Sequence, residues 1–444
     1  MPSENEKKRG EPSRETRQFR EWKGMNQTDA RTAIDDTEWW WLENAMTVGK
    51  GKVRILPHQG PAVYTAPSTI VGLFGVTLLN TPVLVVVLQS GAIYQVSLGG
   101  SPTQIAPAGT VTVNADVTIW QGDRLLIVDP AFGYMTWDGI SFTVIDASKT
   151  GTTVAVFSGR AWIANGRTVT FTDAGSYSAF TGSGGSFSIT DEAFPGNITR
   201  LISAMEQLWI IGEGAVNALS NVQVVGGIAS YSNTNIVSGV GTPNKQSVIA
   251  FFRALAFLSK AGVYGLVGVT PQKLSDKLDG LFPNLTLTPD TPAALMTLNE
   301  LPVLCLLTTY NDPATNPPTA RPLVLCYSQG KWFTASQGSL TNITDVVVSG
   351  AWQAWGTDGT SLFALFGDPT TPVSYRMQGK LYDFGSMVTM KQVFRMMLEF
   401  SATTTVSPML TLETEKGSQS SSLSVASATF WANNSGAQVS WVTS

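Results

Sequence analysis

The chain has 444 residues, which is enough for one large β domain or for two or three ordinary domains. Charged residues make up only 14% of it, against about 25% in typical soluble proteins, and the formal net charge is −4. Since a protein that binds nucleic acid tightly normally needs a basic surface, this slightly acidic charge balance argues against tight DNA binding. Passive contact with DNA, such as the lining of a channel, is compatible with it.

The charge is concentrated at the front of the chain. Residues 1–54 hold 11 of the 28 Lys and Arg and 10 of the 32 Asp and Glu. Residues 1–18 are charged throughout and have no apolar periodicity, which predicts disorder, and they lack the apolar core of a signal peptide. We therefore expect a chain made in the cytoplasm, whose nearly neutral remainder suits packing within an assembly.

Residues 19–52 form an N-terminal lead before the main domain. Asp35 and Glu38 have the spacing of a capping box, in which Asp35 would be the N-cap. The sequence therefore predicts a short helix from Asp36 to Met46, which the glycines of the following "VGKGK" would end.

Three adjacent tryptophans, Trp39, Trp40 and Trp41, lie within this lead. On a helix they would point about 100° apart, so they could not share one face. We expect one of them to pack against the chain's own main domain and another to lie at a subunit interface.

A unit of two apolar strands and two turns recurs between residues 53 and 384. Seven such units begin at Pro82, Val117, Val154, Arg200, Ser247, Leu301 and Asp345. Repeats of about 40–50 residues with four short strands are what propeller blades require. We predict an all-β chain with a β-propeller of six or seven blades over residues 53–384, and an array of β-sandwiches is the alternative architecture. Residues 385–444 read as additional C-terminal strands, forming a separate layer or pairing with a neighbouring subunit.

The most apolar stretch, Ser68–Leu88, is too interrupted for a membrane span. Gly72, Gly75, Asn80 and Pro82 divide it into two short runs, which predicts two strands and no stable membrane insertion.

The two cysteines, Cys305 and Cys326, lie in apolar strand-like runs. We predict buried free thiols, with a cross-strand disulfide as the alternative.

The sequence offers little for catalysis. A Ser-His-Asp triad or a multi-histidine metal site would have to use the single histidine, His58, which lies in a Pro/Gly turn and is expected to be a surface loop residue. Motifs of phosphate loops, zinc proteases and nucleophile elbows are absent from the sequence. We therefore predict no catalytic residue, no cofactor and no metal site.

The segment "TFTDAGSYSAF" (Thr170–Phe180) is similar to the Asp-box hairpins of sialidase-like propellers. Asp173 would bond its own turn and Gly175 would adopt a positive φ. Such hairpins are structural, and a sialidase also needs an arginine cluster, whereas the arginines here are scattered over the repeats. A sialidase-like or carbohydrate-binding propeller is nevertheless the alternative function.

Most tryptophans of the repeats are expected to close one blade against the next rather than to bind ligands. These are Trp120, Trp137, Trp162, Trp209, Trp332, Trp352 and Trp355.

The order of several segments resembles the tail hub or nozzle proteins of short-tailed bacteriophages. The front "KGMNQTDARTAIDDTEWWWLENAMTVGKGKV" looks like the opening of those chains. The segments "SGRAWIANGRTVTFTDAGSYSAF", "ITRLISAMEQLWIIGEGAVNAL", "GTPNKQSVIAFFRALAFLSKAGVYGLVGVTPQKLSDKLDGLF" and "LVLCYSQGKWF" are similar to their successive blades. Together these segments cover residues 20–400, approximately.

This resemblance implies a structural virion protein without enzymatic activity. In that family six copies of a propeller chain form a ring below the portal and adaptor, and viral DNA passes along the ring's axis at ejection. The implied partners are the homo-hexamer, the portal–adaptor (head–tail connector) proteins and tail fibres or tailspikes. The implied location is the phage tail, after assembly in the cytoplasm of the host bacterium. A third possibility is a monomeric propeller scaffold that exposes a hydrophobic groove for a partner.

Overall fold

The computed structural model describes residues 21–287, 291–314, 317–382, 408–414, 417–422, 431–432 and 438–439. These residues form two compact units, which divide between Leu381 and Tyr382. Within the described residues the regular elements are β-strands, apart from three single-turn 3-10 helices, Lys245–Ser247, Asp276–Leu278 and Phe282–Asn284. The prediction of disorder for residues 1–18 lies outside the described residues.

Blades 1 to 5 follow one another along the first unit, each a four-stranded antiparallel sheet in which successive strands pair. Short apolar runs rich in Val, Ile and Leu, separated by Gly, Asn and Asp, favour this pattern of strands and tight turns. The strands are Ile70–Leu78, Thr81–Leu88, Ile93–Ser97 and Pro102–Ala106 in blade 1; Asp116–Trp120, Arg124–Asp129, Gly133–Trp137 and Phe142–Asp146 in blade 2; Thr153–Phe157, Arg160–Asn165, Thr168–Phe171 and Gly185–Ser188 in blade 3; Ile198–Ala204, Gln207–Gly212, Ala215–Val225 and Ile228–Ser238 in blade 4; and Ile249–Phe251, Ala254–Ser259, Gly262–Val267 and Thr270–Lys273 in blade 5.

A sixth four-stranded sheet, the closing blade, joins the two ends of the ring. Three of its strands are consecutive, Asn342–Val348, Ala351–Thr357 and Ser361–Ala364, but the fourth is Tyr64–Thr65 from before blade 1. Its first strand also contacts Ile70–Leu78, the first strand of blade 1. An early segment of the chain therefore pairs with a late one, and this pairing closes the ring.

A seven-stranded sheet, the large sheet, occupies the place between blade 5 and the closing blade. Its central meander has the same antiparallel order as a blade, and its first strand contacts the first strands of both neighbours. The meander strands are Ala293–Leu298, Leu301–Asp312, Thr319–Ser328 and Lys331–Ala335. Three further strands extend this sheet: Leu285–Thr286, Trp41–Glu43 and Arg376–Gln378.

The prediction of an all-β propeller with six or seven blades is confirmed. Each of the seven sequence repeats falls in a different sheet of the ring, six of them four-stranded blades and one the meander of the large sheet. The apolar stretch Ser68–Leu88 forms the first two strands of blade 1, as predicted. Among the described residues, no helix has the length and apolar character needed to cross a membrane.

The helix predicted from Asp36 to Met46 is wrong. The Asp35 and Glu38 pair does make a capping-box bond, since the Asp35 N–H donates to Glu38 Oε2 at 3.2 Å, but it closes only a turn. The chain continues as the strands Trp41–Glu43 and Ala45–Val48, and the latter forms a hairpin with Lys52–Ile55.

The reason is tertiary pairing. Trp41–Glu43 inserts between Lys331–Ala335 and Arg376–Gln378, and Leu42 and Met46 become completely buried. Burial of this apolar surface outweighs a local preference for helix, because propensity differences are worth only a fraction of 1 kcal/mol per residue.

Strands also occur in the second unit, as predicted for residues 385–444. Met409–Thr414 pairs with Gly417–Ser422, and Trp431–Ala432 pairs with Gln438–Val439. Apart from Pro408, the other residues of this predicted region lie outside those that the structure describes.

Candidate functional site

The three tryptophans of the lead do not form one exposed platform. Trp41 is buried in the core of the large sheet, where its ring lies 5.1 Å from Tyr310 and its Nε1 donates to Glu43 Oε2 at 2.8 Å. Trp39 and Trp40 are half-buried against the same core. The lead therefore packs on its own propeller, and a subunit-interface role for Trp39 and Trp40 stays a prediction.

Two buried carboxylates attach the lead to the ring. Glu43 receives two hydrogen bonds from the guanidinium of Arg321, and Glu38 receives one from Asn26 at 2.7 Å and another from Lys277 of the chain just after blade 5. Burial by itself would raise the pKa of each carboxyl, but these bonds outweigh it and hold both pKa values below the usual range. Both groups are therefore anionic anchors.

A buried ionic cluster ties four consecutive blades together. Asp116, the first residue of blade 2, accepts hydrogen bonds from Arg200 Nη1 of blade 4 at 2.6 Å and from the Val154 N–H of blade 3 at 3.0 Å. Lys245 Nζ, just before blade 5, lies 3.7 Å from Asp116 Oδ1. Burial opposes ionisation of Asp116, yet the charges of Arg200 and Lys245 lower its pKa. A carboxylate held ionised by fixed cations acts as a clamp and is poorly suited to proton transfer.

The Asp-box segment is a loop held by internal bonds. Gly175 has φ +74°, as predicted, but the Asp173 carboxylate reaches beyond its own turn to the N–H groups of Gly182 and Gly184, at 2.9 and 2.5 Å. The buried Arg160 donates to backbone carbonyls of the same loop. These groups are used to shape the hairpin, as expected of a structural Asp-box.

His58 lies in a loop, as predicted, and is half-buried. Its backbone N–H and C=O pair with those of Asp368, both at 2.9 Å, and its Nδ1 lies 3.1 Å from the Gln59 carbonyl oxygen. Over the ranges that the structure describes, His, Cys, Asp and Glu side chains form no group of three or more that could hold a metal ion.

The repeat tryptophans are buried between blades in six of seven cases, and Trp352 is the exposed exception. The two cysteines are free and buried, as predicted, and Cys305 lies directly across the sheet from Cys326 with the two Sγ atoms 4.0 Å apart.

One face of the ring carries a series of unusual turns. The first and second strands of each sheet of the ring are joined by a tight turn whose first residue has a positive φ, between 49° and 56°. Because strand directions alternate, the turns between third and fourth strands lie on this same face, which we call the turn face. The first-to-second turns are Leu79–Asn80, Gln121–Asp123, Ser158–Gly159, Met205–Glu206, Phe252–Arg253, Asn299–Glu300 and Ser349–Gly350.

Bulky apolar side chains are exposed on the turn face. Positive φ favours Gly, Asn or Asp, yet Leu79 and Phe252 occupy such positions and are 56% and 73% exposed. Further exposed apolar residues lie in or beside turns of the same face: Ile140, Val224, Val225, Ile228, Val267, Val269 and Trp352. The sequence prediction missed this surface, because it used turn residues only to separate strands.

No protein-family model matches the chain, and no curated protein matches it.

Among solved structures, the chain is similar to selenomethionine-substituted virginiamycin B lyase from Staphylococcus aureus, with 11% identity over 68% of this chain and 97% of that one, at a TM-score of 0.45. A catalytically inactive variant of that lyase with quinupristin matches with 10% identity, 70% and 96% coverage and a TM-score of 0.42. The extracellular domain of a protein described as a one component system from B. thetaiotaomicron matches with 12% identity over 69% of this chain and 40% of that one, at a TM-score of 0.42.

Proposed function

We propose that the chain is a structural subunit of a short-tailed phage tail, without catalytic activity. Six copies would form a ring below the portal and adaptor, with tail fibres or tailspikes as further neighbours, and viral DNA would pass along the axis during ejection. The resemblance of successive segments to tail nozzle proteins motivates the proposal, and the observed propeller is the fold that this resemblance implies.

The apolar turn face is the observation that carries the proposal. Large exposed apolar patches are uncommon on monomeric proteins and mark surfaces that another molecule covers. Here the apolar residues occupy several neighbouring turns of one face, and some of them sit in backbone conformations that disfavour bulky side chains. A subunit that stays inside an assembly can keep such a surface, since its neighbours bury it.

Two ionic contacts and the net charge also support a structural role. The cluster around Asp116 fixes the relative positions of blades 2 to 5, and the Glu43–Arg321 pair fixes the lead to the large sheet. A rigid subunit of this kind suits a conduit. The formal net charge of −4 also favours DNA that passes without adhering, because like charges repel.

The experiment is to analyse the full chain by native mass spectrometry and negative-stain electron microscopy, alone and with the portal and adaptor proteins of the same virus. We expect a ring of six copies, at least in the presence of the connector proteins. A chain that stays monomeric with them and is missing from purified virions would overturn the proposal. Binding or turnover of glycans by such a monomer would favour the carbohydrate-binding alternative.

A matched pair of variants tests whether the turn face is the assembling surface. Ile140 is 85% exposed in a turn of that face, whereas Val144 is exposed on the outer strand of the same blade. Ile140→Ser should weaken assembly and Val144→Ser should not. If the two variants assembled equally well, the turn face would not be the assembling surface.

A further inference from the structure

We propose that the part of the turn face around Phe252 binds a second copy of this chain. This Phe252 patch comprises the turns Met205–Glu206, Phe252–Arg253 and Asn299–Glu300, together with Val267 and Val269 of blade 5. The inference rests on the proposed function only in that both require an assembling subunit, and the pairing of two copies can be measured without any other tail protein.

Phe252 is the anchor of the patch. Its φ of +56° is uncommon for a bulky residue, and a two-residue hairpin turn with a positive φ at its first position alone favours Gly at that position. Its ring is 73% exposed and touches the half-buried ring of Phe251, with the centroids 4.7 Å apart. Backbone strain and apolar exposure are both unfavourable in an isolated chain. A partner that covers the ring would offset them, which is how aromatic anchors of protein interfaces act.

The surroundings of Phe252 enlarge the apolar centre. Val267 and Val269 flank the turn between the third and fourth strands of blade 5, which lies on the same face as the Phe252–Arg253 turn. Both valines are exposed. The centre of the patch is therefore apolar and belongs to a single blade.

The charges around this centre identify the occupant. Glu206, Arg253 and Glu300 hold the second position of three consecutive first-to-second turns, so their signs run negative, positive, negative around the ring. All three side chains are exposed and form no ion pair among the described residues.

This pattern is complementary to itself. When two identical patches face each other, Arg253 of each copy can lie against Glu206 or Glu300 of the other, as in the self-complementary interface of a two-fold pair. A uniformly basic or acidic partner would be attracted to one part of the pattern and repelled by another.

The first test measures the self-association of the full chain by sedimentation equilibrium over a wide concentration range. Phe252→Asn should weaken the association about tenfold or more, since interface anchors have effects of that size. The variant should still fold, because Asn tolerates a left-handed conformation. Phe132→Asn is the matched control: Phe132 is 43% exposed in the turn between the second and third strands of blade 2, on the opposite face of the ring, so this variant should leave the association unchanged.

The second test exchanges charges. Arg253→Glu should weaken the association, as should Glu206→Arg combined with Glu300→Arg, whereas a mixture of these two variants should associate about as well as the wild type. A monomeric wild type, a Phe252→Asn variant that associates normally, or a mixture that fails to recover would each overturn the inference.

These outcomes separate the inference from the proposed function. Pairs that depend on Phe252, formed by a chain that never enters virions, would overturn the tail role alone. Normal rings built from the Phe252→Asn variant would overturn the pairing alone.

Discussion

Glu43 and Arg321 form a two-bond ion pair between the N-terminal lead and the large sheet, with Arg321 Nη1 donating to Glu43 Oε1 at 2.6 Å and Nη2 donating to Oε2 at 2.9 Å. The two residues are 278 positions apart in the chain. Ser336 Oγ and Trp41 Nε1 also donate to the same carboxylate. One carboxylate thus fixes the lead, its buried tryptophan and two strands of the large sheet.

Arg321→Ala should lower the free energy of unfolding by about 3 kcal/mol, because it leaves the Glu43 carboxylate buried without its cation. The exposed pair of Lys23 and Asp35, 2.9 Å apart, provides the control, and Lys23→Ala should change the free energy of unfolding much less, because solvent screens an exposed ion pair. Urea unfolding at pH 7 measures both. A loss for Arg321→Ala as small as that for Lys23→Ala would contradict the anchoring role.

Asp345 should make stability depend on pH. It lies on the first strand of the closing blade, and burial raises its pKa to about 6, although the Leu295 N–H donates to its carboxylate and partly opposes this rise. In the unfolded chain the pKa is near 3.8. The folded state thus prefers the protonated form of Asp345. Its contribution to folding stability is fully present below the unfolded pKa and is lost as pH rises through 6.

We therefore expect Asp345→Asn to be more stable than the wild type at pH 7.5, by on the order of 2 kcal/mol, and equally stable near pH 4. Urea unfolding at several pH values between 4 and 7.5 checks the difference. Parallel pH profiles of the variant and the wild type would show that Asp345 is not responsible.

Substitutions of two adjacent tryptophans should affect folding and assembly differently. Trp41 is buried and hydrogen-bonded to Glu43, so Trp41→Ala should cost about 3–5 kcal/mol of folding stability. Trp40 is only half-buried, so Trp40→Ala should cost less in folding and more in assembly. Thermal unfolding and native mass spectrometry measure the two effects. Intact assembly of a well-folded Trp40→Ala variant would remove Trp40 from the interface.

The two cysteines should be unreactive in the native protein. Cys305 and Cys326 are both buried, and burial together with the contact to Cys305 raises the pKa of Cys326 well above its usual value. Since the thiolate is the reactive form, a colorimetric thiol reagent at pH 8 should modify neither group in the folded chain and both in denaturant. Rapid reaction of the native protein would mean that the large sheet opens readily.

The sequence predicted the repeating part of the fold well, because each blade is built from neighbours in the chain. Apolar runs and turn residues locate the strands of each blade within a single repeat, and the buried positions of Cys305, Cys326 and most repeat tryptophans follow from the same pattern. The positive φ of Gly175 was also predicted, since a local turn imposes it, whereas the bonds of Asp173 to Gly182 and Gly184 lie beyond that turn and were not predicted.

The lead was predicted incorrectly because its partners are distant. Trp41–Glu43 pairs with strands about 300 residues further along the chain, and no pattern in the neighbouring sequence predicts that pairing. The same holds for the candidate interface. The sequence identifies the run of three tryptophans, but only the structure shows that Trp41 belongs to the core.

The sequence by itself thus determined the strands, the repeats and the absence of familiar catalytic motifs, since these depend on residue order over a few tens of positions. The tertiary structure decided the closure of the ring by Tyr64–Thr65, the attachment of the lead and the location of Phe252 and Leu79 on one face. The physical reason is that pairing between distant strands and the arrangement of sheets around an axis bring together residues whose proximity is not encoded in any local pattern.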